Sequence, residues 1–117
     1  MNRRIGFLLV FMAMLSCTKE KLNSAPTTPS NFRVIIGGTS TKYSWSASTD
    51  VDGNTITYDV SVLDDVNSTP LVIATNVTTN TFISTLIPLN TPKTMIVTAK
   101  DGKGGTTTGV ENPTIIM

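Results

Sequence analysis

The amino-acid sequence predicts an all-β protein, a seven-stranded β-sandwich, and three observations carry that prediction. Short runs of alternating apolar and polar residues recur through residues 31–117, punctuated by Gly, Pro, Asn and Asp. Threonine occurs 21 times; its branched Cβ suits a pleated strand and its hydroxyl suits the wet face. The single tryptophan, Trp45, opens the stretch WSASTDVDGNTITYDV, which reads as two antiparallel strands joined by an acidic, glycine-bearing turn. The indole belongs at the centre of the core. No stretch after residue 17 has helical periodicity.

The elements follow in order. Residues 32–36 form a first strand, closed by Gly37 and Gly38. Residues 41–47 form a second, with Tyr43 and Trp45 inward and Lys42, Ser44 and Ser46 outward. Residues 50–54 turn the chain into a third strand, 55–63, whose Ile56, Tyr58, Val60 and Val62 face the core. Residues 64–69 turn again. Pro70 denies the next run, 71–74, one ladder donor, which marks it as an edge strand. Residues 81–86 form the next strand, and 88–92 a corner. Residues 94–100 follow with Met95, Val97 and Ala99 inward. A loose hairpin loop spans 101–105, and residues 106–117 close the sheet across an interruption at Pro113. An odd number of strands places the two chain ends at opposite poles, with residues 18–30 beside the 50–54 and 101–105 loops.

The N-terminus has a different character. Asn2, Arg3 and Arg4 are followed by an apolar run from Ile5 to Leu15, then Ser16 and Cys17. Eleven residues of helix span only about 16 Å, short of the ~30 Å hydrocarbon core. A cleaved secretory signal over residues 1–16 fits better than a membrane span. The Leu15-Ser16-Cys17 ending resembles a bacterial lipoprotein signal, although Met14 stands where that pattern usually has Leu. The resemblance implies lipid attachment at Cys17, a membrane partner through the acyl chains, and a bacterial cell-envelope location. Thr18 after the Cys, in place of Asp, leans toward the outer membrane. Residues 17–30 then read as a polar, proline-bearing tether, and 31–117 as the domain.

Composition excludes much. The chain holds 9 Lys and Arg against 8 Asp and Glu. Removing Arg3 and Arg4 with the signal leaves 7 cations and 8 anions, a net charge of −1. No basic cluster marks a nucleic-acid partner. With His absent and Cys17 the sole cysteine, neither a Ser–His–Asp or Cys–His system nor an intrachain disulfide can be assembled. No cofactor is implied.

Within the domain, Trp45, the DVDGN turn, Tyr58-Asp59-Val60, Leu86-Ile87-Pro88 and Val97-Thr98-Ala99-Lys100-Asp101-Gly102 together resemble a bacterial fibronectin type III domain, an immunoglobulin-like sandwich, over residues 26–117. That resemblance implies a spacer or accessory module with no chemistry of its own. Four before Val97, the family usually has a Tyr whose hydroxyl pins a corner. Lys93 stands there instead, which predicts a less tightly fixed corner.

Four candidate sites remain. Asp50, Asp52 and Asn54, with Asp101 from the loop sharing their pole, offer oxygen ligands for Ca²⁺. The loop lacks the full D-x-D-x-D-G order and the later Glu, so turn capping through side-chain bonds to backbone is the favoured reading. Lys103 sits in a GKGG loop too short for a phosphate loop and followed by no helix. Tyr43, Trp45 and Tyr58 would make a sugar platform only if they faced outward. Asp59, Asp64 and Asp65 would make a glycosidase pair only with a cleft between them. The reading is a non-catalytic, monomeric, lipid-anchored envelope module serving as a structural or protein-interaction domain. The alternatives are a carbohydrate- or calcium-binding accessory lipoprotein, with an envelope protein or polysaccharide as partner, and a fragment of a longer multidomain surface lipoprotein.

Overall fold

Inward-facing Val, Tyr, Trp and Met at every second position leave each strand one apolar face, and two sheets bury those faces against each other. A computed structural model describes residues 22–66, 68–85 and 91–117. The signal segment 1–16, Cys17, tether residues 18–21 and the Leu86-Ile87-Pro88 corner lie outside the described residues. Eight strands are present among the described residues: β1 (Ser30–Ile36), β2 (Thr41–Ser46), β3 (Thr57–Leu63), β4 (Leu71–Val77), β5 (Thr81–Ser84), β6 (Thr94–Lys100), β7 (Thr106–Glu111) and β8 (Thr114–Ile116). They form two four-stranded sheets, in the orders β5-β2-β1-β8 and β4-β3-β6-β7.

The all-β, two-sheet sandwich is as the sequence predicts, and the strand count differs by one. The last run does not continue as one strand, because Pro113 has no N–H to give a ladder. Beyond it the chain changes sheets, and β8 pairs with β1 in parallel, Arg33 against Thr114 and Ile35 against Ile116. All other pairings are antiparallel. Since β8 runs in the direction of β1, residue 117 still lies at the pole opposite to the start of β1. The expected placement of the ends therefore holds with eight strands.

The core contains the inward residues predicted for the second, third and sixth strands, joined by Phe32 and Val34 of β1. Phe32, Val34, Tyr43, Trp45, Tyr58, Val60, Met95, Val97 and Ala99 are buried together, with Ile36, Ile56, Val62 and Phe82 packed around them. Trp45 and Tyr58 come from opposite sheets, and their rings meet edge to face at 5.2 Å between centroids. That geometry places the positive edge of one ring on the negative face of the other. Two positions depart from simple ladders. Asn31 has φ 56° where β1 and β2 shift register between Ser30 and Arg33, and Asn76 has φ 54° near the end of β4. Asn tolerates this left-handed backbone better than β-branched residues do.

Candidate functional site

One pole of the sandwich gathers the acidic loops and the N-terminal segment. The turn after β2 is built by its own side chains. The Gly53 N–H donates to the Asp50 carbonyl at 2.9 Å, and the Asp52 N–H donates to Asp50 Oδ1 at 2.8 Å. Gly53 sits at φ 76°, a left-handed conformation that a Cβ would penalise. In the β6–β7 loop, Asp101 Oδ1 accepts the N–H groups of Lys103 at 2.7 Å and Gly105 at 2.9 Å. Both loops are Asx-capped turns, as side-chain-to-backbone bonding predicts.

The Oδ2 atoms of Asp101 and Asp52 reach a different partner. Asn23 Nδ2 donates to Asp101 Oδ2 at 2.7 Å, and the Ser24 N–H donates to Asp52 Oδ2 at 2.7 Å. Asn54 Nδ2 completes the group by donating to Asn23 Oδ1 at 3.1 Å. Further along, the Thr27 N–H donates to the Thr49 carbonyl and the Thr49 N–H donates to Thr27 Oγ1, at 2.9 and 2.8 Å. The Thr107 hydroxyl donates to the Pro26 carbonyl at 2.7 Å, and Pro26 and Pro29 are buried. Residues 23–29, the later part of the segment expected to serve as tether, are thus laid down on the sandwich as a strap. Gly109 makes the seat: a Cβ there would run into the Pro29 carbonyl and approach the Phe32 ring to 3.0 Å.

Electrostatics follow the same wiring. Asp101 is buried at 3% exposure. The Asn23 amide, with the Lys103 and Gly105 N–H groups, holds its carboxyl below the usual Asp value against the upward pull of burial. The predicted calcium ligands are therefore brought to one pole, but Asp50 Oδ1, Asp52 Oδ2 and both Asp101 oxygens accept N–H groups of the turns and the strap. Asp50 Oδ2 is a buried oxygen with no hydrogen-bond partner, yet among the described residues no three acidic, His or Cys groups come together as a metal site. Lys103 is exposed at the rim of a cleft of about 330 Å³, lined also by Leu22, Asn23, Asp52 and Asn54.

The other candidates are dispersed. Tyr43, Trp45 and Tyr58 are each under 5% exposed, so they are core and no sugar platform. Burial raises the Tyr43 phenol above its ordinary value. The Tyr58 hydroxyl accepts the Ser48 N–H at 2.8 Å and so fixes the exit of β2. Asp59 projects from β3 and is pulled upward by partial burial. The Asn76 N–H at 3.0 Å and Lys100 Nζ at 2.9 Å outweigh that pull, and the net shift is down. Asp64 Oδ1 accepts the Val66 N–H at 2.8 Å, and Asp65 pairs with Lys93 at 3.0 Å. Five residues of strand rise separate Asp59 from Asp64 by roughly 16 Å, well beyond the ~5–9.5 Å of a glycosidase pair. At the corner where a Tyr was expected, the Lys93 N–H donates to the Leu63 carbonyl at 2.7 Å.

Sequence reasoning missed the strap residues Asn23, Ser24, Thr27 and Thr107. A polar, proline-bearing segment looks the same whether it hangs free or is pinned. One signal was present: Gly109, a glycine inside a strand, announces a close backbone approach.

No protein-family model matches the chain, and neither does any curated protein sequence. Among solved structures it is similar to an Fn3-like protein from Clostridium thermocellum, with a TM-score of 0.56 and 21% sequence identity over 80% of this chain and 97% of that one. A second structure, FN3tt, aligns with a TM-score of 0.48 and 20% identity over 78% of this chain and 97% of that one. The first likeness shows the fold: an all-β, two-sheet sandwich of the Fn3-like kind.

Proposed function

We propose that this chain is a non-catalytic module of the bacterial cell envelope, anchored by lipid on Cys17 and acting as a structural or protein-interaction domain. The observation that carries the reading is the strap. The polar groups at the loop pole, where an enzyme or metal protein of this shape would place its chemistry, instead fasten the segment that leads back to Cys17. An attachment point reinforced in this way suits a domain held from its N-terminus. The domain is a monomer in this reading, and the outer membrane is favoured over the inner by Thr18.

A protein partner is favoured over a polysaccharide. Phe32, Tyr43, Trp45 and Tyr58 are all buried, which leaves them unable to stack on sugar rings. By contrast Leu71, Val72 and Ile83 are exposed on β4 and β5, two of the four edge strands, where unpaired backbone can accept a partner strand.

Expression of the full chain in a bacterial host tests the anchoring. Intact mass of the purified protein should show an N-terminal Cys17 carrying diacylglycerol and an amide-linked acyl chain, with the protein in the outer-membrane fraction. Cys17→Ser should abolish both. An unmodified Cys17 in a membrane-free fraction would sink the proposal.

A further inference from the structure

The strap changes how far the domain can stand from a membrane. With residues 18–30 free, thirteen residues would span up to about 45 Å when extended, and the sandwich would tumble clear of the lipid surface. Asn23 and Ser24 are instead pinned to Asp101 and Asp52. The chain between Cys17 and Leu22 then sets the reach, and five residues cannot span more than about 18 Å.

The end of the domain held at that distance carries two apolar side chains that folding leaves in water. Val51 occupies the tip of the DVDGN turn and is 82% exposed, and Leu22 is 86% exposed. Both belong to the pole where Leu22, Asp52, Asn54 and Lys103 border one cleft. The turn itself, Asp50 to Gly53, is closed by its own hydrogen bonds, so a polar residue at position 51 would serve its geometry equally well. Beside the anchored end, an apolar residue at the tip of a polar loop gains where something apolar meets it.

We propose that this pole docks on the bilayer, with Val51 and Leu22 in the interfacial layer of the lipid and the long axis of the sandwich held away from the surface. The inference rests on the lipid-anchor reading. The occupant is lipid because the short leash brings the bilayer within reach before any other surface. Apolar tips burying a few ångströms into the headgroup and acyl boundary are a recognised means of interfacial binding. The carboxylates of the pole, Asp50, Asp52 and Asp101, outnumber Lys103 there. The contact therefore depends on apolar insertion and on the leash, and needs no anionic lipid.

The test uses the full chain, acylated in a bacterial host, checked by intact mass and reconstituted in phosphatidylcholine vesicles. Acylation consumes the Cys17 thiol, so Val51→Cys and Val66→Cys each offer one thiol for an environment-sensitive NBD probe. Val66 is exposed in the loop after β3, at the opposite pole. The expected result is acrylamide quenching at position 51 several-fold weaker than at 66, with blue-shifted emission at 51 alone. Inserting twelve Gly and Ser residues between Glu20 and Lys21 should at least halve that protection. Equal quenching at 51 and 66 in acylated, vesicle-bound protein would overturn the docking and leave the anchor standing. Protection unchanged by the insertion would show that the probe drives insertion by itself, and would overturn the leash argument. Unacylated protein, read from the mass before reconstitution, would remove both the anchor and the docking.

Discussion

The two poles of this sandwich are finished by different means, although each carries aspartates in a turn. At the strap pole, Asp52 and Asp101 accept bonds from Ser24 and Asn23, residues 28 and 78 positions away in sequence. At the far pole, Asp64 Oδ1 caps its own turn at Val66, and Asp65 pairs with the exposed Lys93. The difference lies in what the fold brings opposite the carboxylate. The strap lies against the sandwich and brings the Asn23 amide onto the buried Asp101, where a charged acceptor strengthens the bond. A solvated ammonium opposite a solvated carboxylate gains little. The same residue type fastens a strap at one end and, at the other, caps a turn and pairs with an exposed ammonium.

Both poles depend on the core between them, and the largest effect tests that. Trp45→Ala should remove about 3–5 kcal/mol of stability, read from urea unfolding, and amide exchange should accelerate at both poles together. Acceleration confined to the strap would mean that the poles do not share one cooperative unit. Gly109→Ala comes next, because the new Cβ is driven into the Pro29 carbonyl and toward Phe32. A cost of about 1–3 kcal/mol is expected. Amide exchange at Thr27 and Thr28 should speed up well before that of Asp64 to Val66. Equal acceleration would erase the distinction between a strapped end and an open one.

The comparison also marks how far the sequence could be read. The core faces were legible because period-two alternation admits one inward set: Tyr43 and Trp45, Tyr58 and Val60, Met95, Val97 and Ala99. β6 was legible to its limits, 94–100, because a long alternating run is bounded by Pro92 and Asp101-Gly102. The sheet change at Pro113 was only half legible. A proline shows that a ladder stops, but which sheet the chain joins next is decided by the open edge of β1. β4 runs on to Val77 past the expected end at 74, because Asn76 takes a left-handed turn that propensity does not foresee. The candidate site was legible as a grouping, with the 50–54 and 101–105 loops at one pole. Its purpose was not, since the groups that engage the carboxylates lie in a segment with no periodicity.

Protonation separates the poles more gently. The carboxyl of Asp101 is held below the ordinary Asp value of about 3.9 by the Asn23 amide and two loop N–H groups. A carboxyl with a depressed folded value contributes stability that is complete above its unfolded value. That contribution is lost as pH falls through the folded value. Protection of the strap amides should therefore persist to pH 4 and fail below it. In Asp101→Asn it should already be reduced at pH 7, with that acid step absent. An acid step of the same size in the variant would assign it to another carboxylate.

The smallest effect belongs to the far pole. Lys93 does two things there: its N–H closes the corner on the Leu63 carbonyl at 2.7 Å, and its ammonium pairs with Asp65 at 3.0 Å. The two contributions separate by substitution, because Lys93→Ala keeps the N–H and deletes the ammonium. Both side chains of the pair are mostly exposed, and such pairs contribute between about 0 and 1 kcal/mol. Lys93→Ala should thus shift the urea midpoint barely at all, and raising salt should reproduce whatever shift there is. Lys93→Pro deletes the N–H as well and should cost more, through the loss of a backbone bond at the corner. If Lys93→Ala proved as costly as Gly109→Ala, the far pole would be fastened by charge after all. The contrast between the two ends would then fail.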